Sequence, residues 1–577
     1  MLGRATSESQ TPAPHFEVRA GTADQPANHS TTGATPHIAA DAILDDRRAA
    51  RWAWYFVAIG IALRLIRFAL RFPLWNDEAF IADNVIRRDY FELVGALDHT
   101  QIAPVGYLWA CRALVDLVGT SEFSLRAAAL AAGIAALIAF RFLAATILRG
   151  TALVAAVGVL SVSYYPLRHA VEVKQYSCDL LAAVLLIWAG VAWQRVPSTW
   201  RLFVVAATFV VCLPLSYPAV FVAGGVSIAM AFDVWRRRSW REMTGFAAAN
   251  LALLATFGGI YWLTTRGQWN HTGGEMQWHW REGFPPSIKQ PLVLVWWFIQ
   301  CHTGETLAYP FGGDAPICLP QALLVGAGIV ALVRLQRTYL PRAFAGMLGL
   351  ALIAACAGFY PYGYGERIQQ HWVPFVCLLI GAGFAALIAR SLSPERRRTL
   401  TRCGGALLVM PALLWPTIDI ARPYKTPFDR EHQAFARWFW QFASEGRPQV
   451  CMTHDLKLPL VDKFSQIVYS CYRETYRKPV DFAAGRDGFA SIPPGAAIDC
   501  VLTTFEGYPI DEQNFAPWLR AMEQVYESPR RQTYRLANDR DETIVYHVWT
   551  FTPRRPDGRL SQVALPPTSV RTGTSSQ

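Results

Sequence analysis

Trp52 to Leu70 is a nearly unbroken apolar run, and Trp75-Asn76-Asp77-Glu78 follows it almost at once. The run has the length and composition of a membrane helix. The acidic stretch sits where such a helix would leave the bilayer. Charge at a helix end reaches water at little cost, whereas charge inside hydrocarbon is costly and usually functional. The reading of this stretch decides both the class of fold and the place to look for chemistry. Asp77 is either a working carboxylate at a membrane rim or the start of a solvated loop.

The rest of the chain supports a membrane reading. Of 577 residues, 53% are hydrophobic and only 17% charged, against about 25% charged in an average soluble protein. Trp (21), Tyr (21) and Phe (32) are plentiful, as befits rings that anchor at headgroup level. Only closed hydrogen bonding survives in lipid, so the spans are expected to be helices. The net charge of +11 does not imply a nucleic-acid partner. Much of it lies in short clusters between apolar runs, such as Arg236-Arg237-Arg238 and Arg396-Arg397-Arg398, which read as cytoplasmic turns.

Residues 1–50 read as a disordered cytoplasmic tail without a signal-peptide pattern. Arg47, Arg48 and Arg51 place the N-terminus inside and Asp77 outside. Arg149 reads as cytoplasmic, so an odd number of crossings must join it to Asp77. Residues 104–118, interrupted by Arg112 and Asp116, are therefore expected as a juxtamembrane helix, and 125–147 as the second span. Further spans are expected near 151–164, 178–193, 202–216, 218–234, 244–263, 320–333, 343–359, 372–389 and 403–420. That makes about eleven transmembrane helices, each needing about 20 residues. The membrane part, 51–420, has outer loops at 73–103, 165–177, 264–319 and 360–371. The loop at 264–319 carries Trp269, Trp278, Trp280, Trp296 and Trp297 and suits an interfacial helix.

After Ala421 the long apolar runs stop. Residues 421–555 read as an extracytoplasmic α/β domain, with a helix over 434–442 and strands at 449–453, 497–503 and 543–550. Residues 556–577 read as a flexible tail. Of eleven cysteines, Cys301 and Cys318 share a loop and Cys451, Cys471 and Cys500 share the terminal domain. A disulfide within either set is left open. No internal repeat is evident.

Three outer pieces then converge on one membrane face: Asp77-Glu78, the loop from Tyr165 through Arg168, His169, Glu172 and Lys174 to Tyr176, and Tyr360-Pro361-Tyr362-Gly363-Tyr364-Gly365-Glu366-Arg367. These stretches resemble a known family. The chain is similar to the GT-C integral-membrane glycosyltransferases that use polyprenyl-phosphate sugars, in the protein O-mannosyltransferase and lipid A aminoarabinose transferase group. Asp77-Glu78 matches the family's acidic pair. Gly119-Thr120-Ser121-Glu122-Phe123-Ser124-Leu125-Arg126 matches its Gly-x-Ser-Glu-Phe-x-x-Arg stretch. Glu172 to Tyr176 and Tyr360 to Arg367, followed by Pro374, resemble its later loop patterns. The resemblance covers residues 50–420. The family's His-Pro-Pro is replaced by His99-Thr100-Gln101-Ile102-Ala103-Pro104, so His99 reads as a plain surface histidine.

The resemblance implies an inverting transfer of a monosaccharide from a polyprenyl-phosphate donor to a lipid, envelope-glycan or protein acceptor at a bacterial inner membrane. Asp77 is then the candidate base and Glu78 its catalytic partner or a cap of the following helix. Lys174 and Arg367, with Arg168 behind them, are candidates for the donor phosphate. Glu172, Tyr176 and Tyr362 are candidate acceptor or supporting residues. Acid pairs in two loops could hold a divalent ion, but the resembled subgroup generally needs none, and no metal or other cofactor is expected. His279, His302 and Trp280 read as fold or lipid contacts, and Asp83, Asp89 and Glu92 as solvated helix faces. The competing readings are a flippase for lipid-linked sugars, for which Arg64 and Arg67 would be the intramembrane charges unless they snorkel, and a non-catalytic scaffold.

Overall fold

A computed structural model describes residues 45–438, apart from 273, 314–317 and 392, and in the C-terminal part 449–453, 482–484, 497–505, 520, 523–524, 526–527, 530–537 and 543–554. The tails at 1–44 and 555–577 and the stretch 439–448 lie outside the described residues.

Every expected span is a helix. They are α1 (Asp46–Ala69), α4 (Glu122–Ile147), α5 (Gly150–Val162), α7 (Tyr176–Arg195), α8 (Thr199–Cys212), α9 (Ala219–Arg237), α10 (Trp240–Ile260), α14 (Leu319–Arg334), α15 (Tyr339–Cys356), α16 (Val373–Arg390) and α17 (Pro394–Ala421). Eight are long and apolar enough to cross a membrane, α10 being prolonged through a π-helical turn into α11 (Arg266–Thr272). The segments Gly150–Val162, Thr199–Leu215 and Leu319–Arg334 are shorter. The chain is thus a multi-pass membrane protein. Between the spans lie α2 (Asn76–Arg87), α3 (Val105–Val118), α6 (Tyr164–His169), α12 (Glu275–His279) and α13 (Pro291–Thr303). The stretch expected at 104–118 as a helix is α3. The Trp-rich loop yields α13, which exposes Leu292, Val295 and Trp296 while burying Trp297 and Cys301.

Small residues let the spans approach closely, as membrane packing favours. A methyl group added to Gly328 of α14 would collide with the Leu379 backbone of α16, and one on Gly383 of α16 with the Leu324 backbone of α14. Arg64 and Arg67 do not snorkel. Both point into the bundle and are buried. Arg67 forms an ion pair with Asp419 of α17, and Arg64 donates to the Gly60 and Ser161 carbonyls at 2.9 and 3.4 Å.

Successive spans alternate in direction, so the ends of α1 and α17 and the starts of α4, α7 and α16 share one end of the bundle. The opposite end gathers the basic turns: Arg337 donates to the Ile147 carbonyl at 2.8 Å, and Asp46 accepts from the Gly150 amide at 3.3 Å.

The C-terminal part contributes α18 (Pro427–Trp438) and strands β1 (Gln449–Thr453), β2 (Phe482–Ala484), β3 (Ile498–Phe505), β4 (Arg530–Ala537) and β5 (Thr543–Phe551). Their order is β2-β1-β3-β5-β4. The first three run parallel, and β5 and β4 are antiparallel additions. Helix α18 begins earlier than the periodicity indicates, because Thr426 and Asp429 exchange side-chain-to-backbone bonds and cap it. Phe435 of α18 meets Tyr534 of β4 at 5.2 Å. Phe435, Ala436 and Val548 join one apolar core with Leu74, Ala79 and Phe80 of the α2 region. The sheet is therefore docked over the end of the bundle that carries the α1–α2 turn. In the described loop, Cys301 and Cys318 are free thiols.

Candidate active site

The site is built on the turn between α1 and α2. Arg126, in the first turns of α4, is buried and donates to the Phe72 and Pro73 carbonyls. The same guanidinium grips Glu78 with Nε to Oε1 at 2.9 Å and Nη2 to Oε2 at 2.7 Å. Glu78 Oε1 also accepts the Val173 amide at 2.8 Å, and Oε2 accepts the Trp75 amide at 3.4 Å, which caps α2. Glu78 is 1% exposed. Both oxygens of its carboxylate are thus engaged by Arg126 and by backbone amides. It fastens the α1–α2 turn, the start of α4 and the α6–α7 loop at one point.

One residue earlier, Asp77 is turned elsewhere. Its side chain is 33% exposed and lines a cavity of about 600 Å³ at the loop end of the bundle. Arg367 Nη1 lies 3.4 Å from Asp77 Oδ2, and Arg367 Nε lies 3.5 Å from Glu366. The Arg367 guanidinium also rests 4.8 Å from the centre of the Trp75 ring. Lys174 lines the same cavity and is buried. Its ammonium donates to Gln101 Oε1 at 2.8 Å. Burial lowers its pKa from the ordinary lysine value, and the Asp77 carboxylate opposes that drop. Tyr176 lines the cavity as well.

The remaining expected residues stand back from the cavity. Glu172 accepts from Arg168 at 2.8 Å and from His169 at 2.7 Å. Burial would raise this carboxyl, but Arg168 and His169 hold it well below the usual carboxylate range. Arg168 and Glu172 thus neutralise each other behind Lys174. Tyr362 is buried in an aromatic nest, its hydroxyl 2.9 Å from His302 Nε2.

Several cavity residues escape a sequence reading. His99 is no plain surface residue. It lines the cavity, stacks on Phe80 and contacts Asp83 Oδ2 through Nε2 at 3.0 Å. Asp83 is correspondingly buried, and not on a solvated face. This contact needs His99 and Thr100 both at positive φ, 61° and 52°. Asn84 holds that bend by bonding both the amide and the carbonyl of Asp98. His279 and Trp280 of the long loop line the cavity too. So does Asp179, buried one turn into α7. No local pattern marks these residues, since each depends on a distant element folding over it. Among the described residues, no three His, Cys, Asp or Glu side chains converge as a metal site.

A cavity lined by the partly exposed carboxylates of Asp77 and Glu366, a buried ammonium and a guanidinium can accept a proton at one point and hold an anion beside it. Compared by sequence, the chain matches no protein-family model and no curated protein. Compared by structure, it is similar to ArnT from Cupriavidus metallidurans in the apo state, with 13% identity, 86% of this chain and 98% of that chain covered, and a TM-score of 0.48. The same protein bound to undecaprenyl phosphate gives 14% identity, the same coverage and the same score. The oligosaccharyltransferase AglB from Archaeoglobus fulgidus, in complex with an inhibitory peptide and a dolichol-phosphate, is similar at 11% identity, covering 74% of this chain and 64% of that chain, with a TM-score of 0.40.

Proposed function

We propose that this chain is a GT-C membrane glycosyltransferase that moves a monosaccharide from a polyprenyl-phosphate donor to a hydroxyl or amine acceptor on a lipid, an envelope glycan or a protein. The observation that carries this reading is Lys174: a buried ammonium whose hydrogen-bond partner is a neutral amide, sharing a cavity with Arg367 and the accessible carboxylate of Asp77. Such an ammonium is suited to an anion that arrives with the substrate.

The chemistry follows from charge development. The acceptor oxygen or nitrogen attacks the anomeric carbon and forms the new glycosidic bond. Asp77 takes the proton released by the acceptor, a role worth about a hundred- to ten-thousand-fold in such reactions. The bond from the anomeric carbon to the phosphate oxygen breaks, and its electron pair leaves with the polyprenyl phosphate. Lys174 and Arg367 stabilise that charge as it develops. Attack opposite the leaving group inverts the anomeric centre. Glu78 fixes the backbone that presents Asp77, and Gln101 orients Lys174.

The reaction would take place on the extracytoplasmic face of a bacterial inner membrane, with the N-terminus in the cytoplasm. The gathering of basic turns at the end of the bundle opposite the cavity supports that orientation. The isoprenoid tail would lie along the spans beside the cavity. The test is sugar transfer in membranes from a labelled undecaprenyl-phosphate sugar. Asp77→Asn and Lys174→Ala should each abolish most turnover while expression persists. Sugar movement across the bilayer that is indifferent to Asp77→Asn would point to a flippase and defeat the proposal.

A further inference from the structure

Lys425 occupies the short link between α17 and α18, well outside the loops that carry the cavity residues. Although the residue as a whole is exposed, its ammonium lies 3.0 Å from the centre of the Trp75 ring. The Arg367 guanidinium packs on that same ring. Trp75 is the N-cap of α2, two positions before Asp77. A cation from the C-terminal part and a cation from the loop before α16 therefore meet on one indole beside the cavity.

The charge balance of this corner is uneven. Glu172 is occupied by Arg168 and His169. Asp77 and Glu366 both lean on Arg367. Lys174 is left with a neutral amide and Lys425 with a neutral ring. Among the described residues, Lys425 forms no ion pair. Loss of water around its ammonium at the Trp75 ring, together with the like charges of Arg168 and Arg367, pushes its pKa down to about 8, while Glu172 and Asp77 act in the opposite direction. A cluster of cations whose carboxylates are already taken is relieved by an incoming anion.

We propose that Lys425 is a ligand of the donor phosphate, brought to the cavity rim by the docking of the C-terminal domain, so that this domain completes the phosphate site. The position of Lys425 is set by the helix that follows it. The cap formed by Thr426 and Asp429 fixes the start of α18 directly after it. Helix α18 is in turn fastened by Phe435 against Tyr534 and by Gln433 Nε2 donating to Glu122 at 3.2 Å. This inference rests on the donor reading above and extends it to a residue beyond the last membrane helix.

The experiment uses the full chain in phosphatidylcholine nanodiscs, with undecaprenyl phosphate as the ligand and undecaprenol as its uncharged control. The phosphate's second ionisation lies near 6, so its charge is steady from about pH 7 to about pH 9, where a crowded lysine discharges. Lys425→Met should weaken undecaprenyl phosphate binding about tenfold or more at pH 7, as expected for a charge-assisted bond, and leave undecaprenol unaffected. Lys425→Arg keeps both the charge and the ring contact. It should retain affinity at pH 9 better than the wild type, since an arginine stays protonated. Lys425→Met binding as tightly as wild type, even with a lowered melting temperature, would overturn the proposal and leave Lys425 a mere latch on Trp75. So would a Lys425→Arg pH profile that overlays the wild type, a readout that survives if the methionine variant fails to fold. Wild-type protein that binds undecaprenol and undecaprenyl phosphate equally would instead defeat the donor reading itself.

Discussion

Asp77 and Glu78 are chain neighbours of the same charge in the same helical turn, yet they live in different worlds. A helix turns about 100° per residue, so one step moves a side chain from the cavity face to the scaffold face. Glu78 meets a buried arginine in a two-pronged contact and two backbone amides. Asp77 meets a single guanidinium at 3.4 Å and is one-third open. The pairing teaches that an acidic doublet at a helix start need not be a catalytic pair. Its first half is left partly open to the cavity while its second half is committed to Arg126 and the backbone.

Substituting each in turn should separate these roles. Asp77→Asn keeps size and hydrogen bonding while removing the basic electron pair. It should lower turnover by about a hundred- to ten-thousand-fold with an unchanged melting temperature. Glu78→Ala should do the reverse in kind. It strands the Arg126 guanidinium in a buried pocket, a loss of about 3–5 kcal/mol for breaking a buried pair, read as a drop in thermal stability and in yield. The double variant Glu78→Met with Arg126→Met tests the cause. Removing both charges should recover much of the stability lost by Glu78→Ala. If Glu78→Ala leaves stability intact and only slows transfer, the contrast between the neighbours collapses.

A smaller effect is expected at Gln101, which stands to Lys174 as Glu78 stands to Asp77. Gln101→Leu removes the acceptor of the Lys174 ammonium. The lysine remains, so donor binding should weaken by about three- to tenfold, the worth of one hydrogen bond to a charged group. The loss should appear in KM for the donor more than in kcat.

Much of this arrangement is legible in the chain. Spans announce themselves by apolar length, and the parity of basic turns assigns α3 to the surface. Asp77, Lys174 and Arg367 can be grouped because each lies at a span end on the same side. The partners that give them character are not legible. Arg126 sits inside the Gly119–Arg126 stretch with nothing to show that it reaches back to Glu78. The His99–Asp83 contact depends on a left-handed bend at His99 and Thr100, and neither is a glycine that would signal it. Arg64 and Arg67 sit in an apolar run, and only the packing of α5 and α17 against α1 decides that they are buried. Residues 439–442, the last part of the helix expected over 434–442, lie outside the described residues.

The finest division is between the accessible carboxylate of Asp77 and the enclosed one of Glu172, and acid titration can resolve it. Glu172 is held below the ordinary carboxylate range by Arg168 and His169 despite its burial. A group with a depressed folded pKa adds stability above its unfolded value, about 4.3 for a glutamate, and that stability is lost as pH falls toward the folded value. Wild-type protein should therefore lose thermal stability as pH falls below about 4.3. Glu172→Gln should start from a lower melting temperature near neutrality and lose less on acidification, because the charged interaction is already gone. Its turnover should fall only as far as the Arg168 and Lys174 positions shift, since Glu172 stands behind the cavity and Asp77 faces it. An acid profile for Glu172→Gln parallel to that of wild type would mean that some other carboxylate carries the titration.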